Sequence, residues 1–281
     1  MAMACAGVIA LYVAAAVFAA FALTPRWPTS HDYARANQPP SLAAPLGTDA
    51  FGRSVLTKTL LGAKVSLTVG LVTNVIAIPL GMVLGAAAGY YGRRLDDVVM
   101  WLVATLAAIP GIVRVIALKF AFADTVLLDG TPLRLDLGGM VGVCVALSLT
   151  FWIGTCRLVR AEAMKIRQSD YVLAARAAGR SGPGILFAHV LPNVMHIGVV
   201  NFSLGFVAAV MAEVVLSYLG IGVAVGAPSW GSMINAARSD LIVGRWWELT
   251  AAVGAIFVLV LAMDLLGDRL RNALDPKAGK A

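Results

Sequence analysis

Charged side chains are scarce in this sequence. They make up 13% of its 281 residues, against 60% hydrophobic ones, whereas soluble domains carry roughly 25% charged residues. With a mean hydropathy of +0.85, the chain has too little polar surface to face water on all sides, which excludes an ordinary soluble globular protein. Histidine and cysteine are also sparse, three of each. Cys5, Cys144 and Cys156 lie in or beside apolar segments without the paired spacing of a zinc or redox motif, and His31, His189 and His196 are scattered. No bound metal is expected. The formal charge of +7 does not point to nucleic acid, because the basic residues fall between apolar runs and are not gathered on one soluble face. A G-x-x-x-x-G-K-[ST] phosphate loop is absent as well, since the nearest string, Gly62 to Ser66, lacks the first glycine at its proper spacing. This chain is expected to bind no ATP and no cofactor of its own.

Long apolar runs take the place of what is missing. A bilayer core about 30 Å thick needs roughly 20 apolar helical residues at about 1.5 Å each. Six stretches approach that length, over 3–23, 65–90, 98–122, 137–156, 194–219 and 247–267. They predict an all-α integral membrane protein of about six spans, with residues 1–281 forming one membrane domain. Ala20, Phe21 and Ala22 resemble a signal cleavage site, but no basic residue precedes the first apolar run, so a retained span is expected.

Basic residues set the expected orientation, because loops on the cytoplasmic side are enriched in Lys and Arg. With six spans both termini lie on one side. That side carries Arg93, Arg94, Arg157, Arg160, Lys165, Arg167, Arg176, Arg180, Arg269, Arg271, Lys277 and Lys280, against eight basic residues opposite, among them Arg26, Arg53 and Arg134. Both termini and the polar segment 157–192 are therefore expected in the cytoplasm.

That segment has the local chemistry of a helical elbow. Ser169 is placed to cap a first short helix whose Ala174, Ala175, Ala177 and Ala178 favour helix and present a low surface. Gly179 suits the left-handed residue that ends it, Ser181 and Pro183 suit the start of a second, and Pro192 suits the first turn of the fifth span.

Here the sequence resembles a known family. Ala174, Ala175, Gly179, Leu191 and Pro192 match the E-A-A, three residues, G, nine residues, I-x-L-P pattern of the coupling loop in ABC import permeases; Leu173 stands for the pattern's glutamate and His189 for its isoleucine. Four further runs are similar to the second permease subunit of the peptide and nickel import subfamily. They are P-L-G-T-D-x-x-G-R at Pro45 to Arg53, E-x-x-L-S-[FY]-L-G-x-G at Glu213 to Gly222, P-S-W-G at Pro228 to Gly231, and the ending at Leu266 to Pro276. The resemblance implies the ABC type I importer permease fold and a non-enzymatic subunit that translocates di- or oligopeptides across the inner membrane by ATP-driven alternating access. It also implies two cytoplasmic ATPase subunits using ATP and Mg, a second homologous permease and an extracytoplasmic solute-binding protein. Asp170, Ala174, Ala175, Arg176 and Gly179 would form the ATPase contact. A permease for nickel or another chelated solute is the alternative cargo reading; an ATP-independent channel and a membrane enzyme are the rivals from other classes.

Charges within spans are the remaining candidates, because an ionised side chain at mid-bilayer costs about 2.5 to 3.5 kcal/mol. Counted along a continuous third span from Asp97, Arg114 lies 17 residues in, roughly 25 Å into the core. It is read either as an interface anchor that snorkels outward, as Lys119 would, or as a ligand for a substrate carboxylate or the binding protein. Glu213, near the far end of the fifth span, is read as an outer gate or as a carboxylate bonded to neighbouring helices. Ser217 on the same span offers a polar contact or helix packing, and Trp230 an interfacial anchor or a closure of the outer mouth.

Overall fold

The structure is a computed structural model that describes residues 2–27, 32–123, 125–127, 135–223 and 227–274. Arg134, Asp275, Pro276, Lys277 and Lys280 of the orientation and motif arguments, and His31, lie outside these residues. Apart from a two-residue antiparallel pair, β1 (Val126–Leu127) with β2 (Leu135–Asp136), the regular structure is helical. In chain order the helices are α1 (Ala2–Phe18), α2 (Val55–Tyr91), α3 (Arg93–Ala107), α4 (Gly111–Ala121), α5 (Met140–Ile166), α6 (Asp170–Ala177), α7 (Gly182–Ile185), α8 (Leu191–Tyr218), α9 (Trp230–Ile242) and α10 (Trp247–Leu274). Among the described residues five helical segments are long and apolar enough to cross a membrane, and the bent pair α3 and α4 brings the number to six if it is one broken span rather than a re-entrant loop.

The central element is α2. Its 37 residues reach about 55 Å at 1.5 Å per residue, well beyond the bilayer core. The stretch from Val55 to Lys64, which precedes the expected span, is its first turns, opened by Ser54, whose Oγ accepts from the Thr57 N–H at 3.4 Å.

Close packing of α2 on α5 follows from a glycine stripe. Gly81, Gly85 and Gly89 recur every fourth residue and so share one face of the helix. A Cβ at these positions would lie 2.6 Å from the Trp152 carbonyl oxygen, 2.5 Å from that of Cys156 and 2.5 Å from that of Arg160. The two backbones are thus in direct contact over two helical turns, the approach that small residues permit where lipid supplies no hydrophobic drive between helices. Asp96 of α3 locks the end of this pair by accepting a two-pronged hydrogen bond from Arg160 of α5, with Nη2 at 2.6 Å from Oδ2.

The third span is not continuous. α3 and α4 meet at 93° across a short break. Pro110, extended at φ −51° and ψ 134°, cannot donate to the helix ladder, and the residue before a proline avoids helical backbone. The signal was in the sequence at Ile109-Pro110-Gly111, and the depth count for Arg114 passed over it.

Two further departures concern the ends of helices. α5 runs on to Ile166, and a π-turn at Leu186–Val190 carries α7 into α8, so Gly182–Tyr218 is one apolar segment. The elbow is consequently shorter than the polar segment 157–192: α6, the turn at 178–181 and the start of α7 up to Ile185. The second departure is α9, which fills what the sequence offered as a loop. Ser229 starts it with a capping box: its Oγ accepts from the Ser232 N–H at 3.2 Å, and Ser232 Oγ accepts from the Ser229 N–H at 3.0 Å.

Candidate functional site

The elbow is built as a short rigid helix held from one side. Ser169 stands at the N-cap of α6, yet its hydroxyl donates back to the Ile166 carbonyl at 2.6 Å and does not cap the helix. Asp170 in the first turn and Arg176 in the last complement the helix dipole instead. The helix ends as its sequence predicts: Gly179 has φ +77°, and the N–H groups of Gly179 and Arg180 donate to the carbonyls of Arg176 and Ala175 at 3.1 Å each. Ser181 Oγ then accepts from the Gly184 N–H at 3.4 Å and opens α7.

Burial divides the elbow into two faces. Val172 and Ile185 are fully buried and pack with Tyr90, Val159, Ala163 and Val190, with Ala175 against the same cluster. Asp170, Ala174, Arg176 and Gly179 are exposed, together with Tyr171 and Leu173. A Cβ at Gly179 would meet nothing within 4 Å. Arg176 also lies over the Tyr90 ring of α2, 5.7 Å from its centroid. Leu191 and Pro192 sit on the returning helix: Leu191 is half-buried against the Tyr90 cluster and Pro192 is exposed in the first turn of α8.

A second constellation occupies the opposite end of the bundle. Glu213 is fully buried, accepting from Ser66 Oγ of α2 at 3.1 Å and from Ser217 Oγ at 2.7 Å. Trp230 is likewise buried; its Nε1–H donates to the Thr59 carbonyl at 3.0 Å and its ring meets Tyr12 edge-on at 6.2 Å. Gly62 makes room for that ring, since a Cβ there would fall 2.5 Å from Trp230 Cδ1, and Gly231 lets α9 touch α8, 2.3 Å separating its Cβ position from the Val214 carbonyl oxygen. The Glu213 to Gly222 and Pro228 to Gly231 runs are thus one packed unit on α2.

Beside it the Pro45 to Arg53 run folds into a charged knot. Asp49 accepts from the backbone N–H groups of Phe51 and Arg53 at 2.9 Å each, from Arg53 Nε at 2.9 Å and from Lys58 Nζ at 3.1 Å. Lys58 reaches on to Glu248 of α10 at 2.6 Å, and Trp247 Nε1–H donates to the Thr48 carbonyl at 3.0 Å. Gly47, at φ +73°, is required here: a Cβ would stand 2.7 Å from the Gln38 carbonyl oxygen and 2.9 Å from the Trp247 ring. Burial opposes ionisation of Asp49, but Lys58 and the donors of Arg53 outweigh it and hold the carboxyl below the usual carboxylate range. Sequence reasoning found this motif without finding its partner, because Lys58 and Glu248 are far apart in the chain and nothing local couples them.

Arg114 and Lys119 both bond to backbone carbonyls. The bend at Pro110 folds α4 back, so that Arg114 donates through Nη1 to the Leu106 carbonyl at the end of α3, and its depth no longer follows from a count along one straight helix. Lys119 is buried; its Nζ donates to the carbonyls of Leu137 at 3.2 Å and Gly139 at 2.9 Å, and to that of Gly138. No group of three His, Cys, Asp or Glu side chains among the described residues is placed to hold a metal ion.

Comparison with known proteins gives these features a family. Residues 77–280 match the family model described as binding-protein-dependent transport system inner membrane component. The chain is 35% identical over 241 residues to the dipeptide transport system permease protein DppC of Bacillus subtilis (strain 168), covering 86% of this chain and 71% of that one. It is 35% identical over 273 residues to the glutathione transport system permease protein GsiD of Pectobacterium atrosepticum, covering 97% and 86%. To the oligopeptide transport system permease protein OppC of Bacillus subtilis it is 31% identical over 245 residues, covering 87% and 75%. These relatives are transport subunits, and the matched region takes in the glycine stripe, the elbow and the buried Glu213 unit. A multi-span helical bundle with an exposed glycine-ended elbow and this breadth of match belongs to the ABC importer permeases, the inner-membrane components of binding-protein-dependent transport systems, and is a transport subunit rather than an enzyme.

Proposed function

We propose that this chain is one half of a peptide-conducting import channel, forms a single membrane domain, and works by ATP-driven alternating access. The observation that carries the reading is the elbow, a short helix clamped by Val172 and Ile185 while its Ala174 and Gly179 surface stands free. Such a helix moves as a unit when its exposed face is gripped, and it passes the displacement into α5 and the α7–α8 segment, to which it is joined at both ends. Two separate ATPases grip the elbows of this chain and of a second homologous permease; they bind the ATP and Mg. Asp170, Ala174, Ala175, Arg176 and Gly179 form the contact, and Leu191 and Pro192 transmit it to the returning helix.

The elbow end faces the cytoplasm of an inner membrane in this reading, with both termini on that side. Support comes from Arg93, Arg94, Arg157, Arg160, Lys165, Arg167 and Arg180, which lie at or near that end of the helices. The opposite end, where Glu213, Ser217 and Trp230 hold α2, α8 and α9 together, then forms the floor of the outer mouth, on which a solute-binding protein delivers its cargo. Peptide cargo is supported by the names of the relatives, two of which are dipeptide and oligopeptide permeases.

The test is reconstitution with the other subunits and measurement of ATP-dependent uptake of labelled di- and tripeptides. Ala174→Trp places bulk on an exposed surface and leaves the clamp untouched. Uptake should fall at least tenfold while insertion and fold stay intact; normal uptake by this variant would overturn the coupling role, and wild-type uptake without ATP would overturn the energy source.

A further inference from the structure

We propose that a polar cleft at mid-depth of the bundle is a transit subsite for the C-terminal end of a peptide, with Arg114 binding the carboxylate and Asn74 and Asn201 accepting from amide N–H groups. This rests on the peptide reading above.

The cleft has a volume of ≈ 390 Å³ and lies between α2, α4, α5 and α8; Asn74, Arg114, Thr150, Thr155, Asn201 and Gly205 are among its lining. That volume is in the range of small-ligand sites, about 300 to 1,000 Å³. Its depth is fixed by the helices that bound it. Asn74 is at the midpoint of α2, which runs Val55–Tyr91, and Asn201 is at the midpoint of the apolar segment Gly182–Tyr218. Polar side chains midway along long apolar helices are costly to place in lipid and by default mark a functional site or pathway.

Three observations point to a ligand. Arg114 has no carboxylate within ion-pair distance among the described residues, and its buried Nε has no hydrogen-bond acceptor. Asn74 is fully buried and donates through Nδ2 to the Gly70 carbonyl at 2.7 Å, yet its Oδ1 accepts nothing. Asn201 donates to the Ile197 carbonyl at 2.8 Å, and its own side-chain oxygen takes no donor among the described residues. The cation therefore lacks an anion and two amide oxygens lack donors, around one cleft. Gly205 belongs to the same construction, because a Cβ there would fall 2.2 Å from Asn74 Oδ1 and cover it.

The pattern selects among occupants. Lipid hydrocarbon would satisfy none of these groups. A bare phosphate, or a lone carboxylate from the second permease, would match Arg114 but supplies no donor for the asparagine oxygens, and a phospholipid headgroup that adds donors is the case the lipid arm of the test below distinguishes. The end of a peptide carries an anionic acceptor beside N–H donors, which is the complement of what the cleft presents.

Direct binding tests it. Labelled trialanine would be titrated against the purified assembly of both permeases and both ATPases without binding protein, with trialanine C-terminal amide as competitor. Wild type should bind the free acid saturably and prefer it to the amide. Arg114→Gln should weaken the free acid roughly ten- to a hundredfold and leave the amide unchanged, Arg114→Lys should recover most of the loss, and Asn201→Ala should weaken both several-fold. The subsite is refuted, and peptide cargo stands, if an assembly that transports trialanine shows no saturable binding, if Arg114→Gln binds as wild type, or if it weakens acid and amide alike. It is also refuted if added anionic phospholipid abolishes wild-type binding, which would make the cleft a lipid site. If the assembly transports no peptide, the cargo reading falls and the subsite with it.

Discussion

Replacing Lys58 by Met removes the one ammonium that two buried carboxylates share. Lys58 is 5% exposed, and its Nζ stands 3.1 Å from Asp49 and 2.6 Å from Glu248. The two carboxylates do not lose equally. Asp49 keeps Arg53, whose Nη2 is 2.8 Å away, and two backbone N–H groups. Glu248 keeps no partner among the described residues, since its second oxygen is already buried without one. The cost should therefore be that of an isolated buried charge, about 3–5 kcal/mol of unfolding free energy. Lys58→Met with Glu248→Met removes the orphan together with its partner, and should recover at least about 2 kcal/mol of that loss. The assay is denaturant unfolding of wild type, both single variants and the double variant in one detergent, read as a double-mutant cycle. A cost below about 1 kcal/mol for Lys58→Met, or a double variant equal to the sum of the singles within about 0.5 kcal/mol, would refute the claim that this bridge ties the 45–53 segment to α10.

Gly85→Ala should destabilise by about 1–3 kcal/mol, because its Cβ would stand 2.5 Å from the Cys156 carbonyl oxygen and force two backbones apart. Gly254→Ala, where a Cβ meets nothing within 4 Å, should be neutral or gain up to about 1 kcal/mol of helix propensity, and unfolding midpoints compare the two directly. Asp49 contributes stability that is complete above the ordinary carboxylate pKa and disappears as pH falls through its depressed folded value. An unfolding midpoint measured from pH 6 downward should show an acid limb below about pH 4 in wild type that is shallower in Asp49→Asn. Equal limbs would show that Asp49 is not held in its charged form by this knot.

Much of the architecture was readable from composition. Six apolar runs in a chain with 13% charged residues leave the backbone no alternative to helices across lipid, because every N–H and C=O must find its partner within the segment. The elbow was equally legible, since alanine preference and a left-handed glycine act within a few residues of themselves. Where the reading missed, it missed local signals of lower contrast: Pro110 inside an apolar run, and the Ser229 cap of α9 behind a proline. The loss at Ser169 is different in kind, because its hydroxyl chooses between two nearby backbone partners and takes the Ile166 carbonyl.

Apolar run length in the sequence was enough to show a membrane protein, and alanine preference with a left-handed glycine was enough to place the short helix that ends at Gly179. What the charges and glycines contact emerged from the packed bundle. Gly81, Gly85 and Gly89 became the α2–α5 contact, Lys58 found Glu248 from 190 residues away, Lys119 turned inward to carbonyls, and Arg114 came to stand with Asn74 and Asn201 at one cleft. Helix formation is settled within a few residues, by hydrogen bonds that close inside the segment. Pairing of buried charges and contact between backbones depend on which helices become neighbours, and that is a property of the packed bundle as a whole.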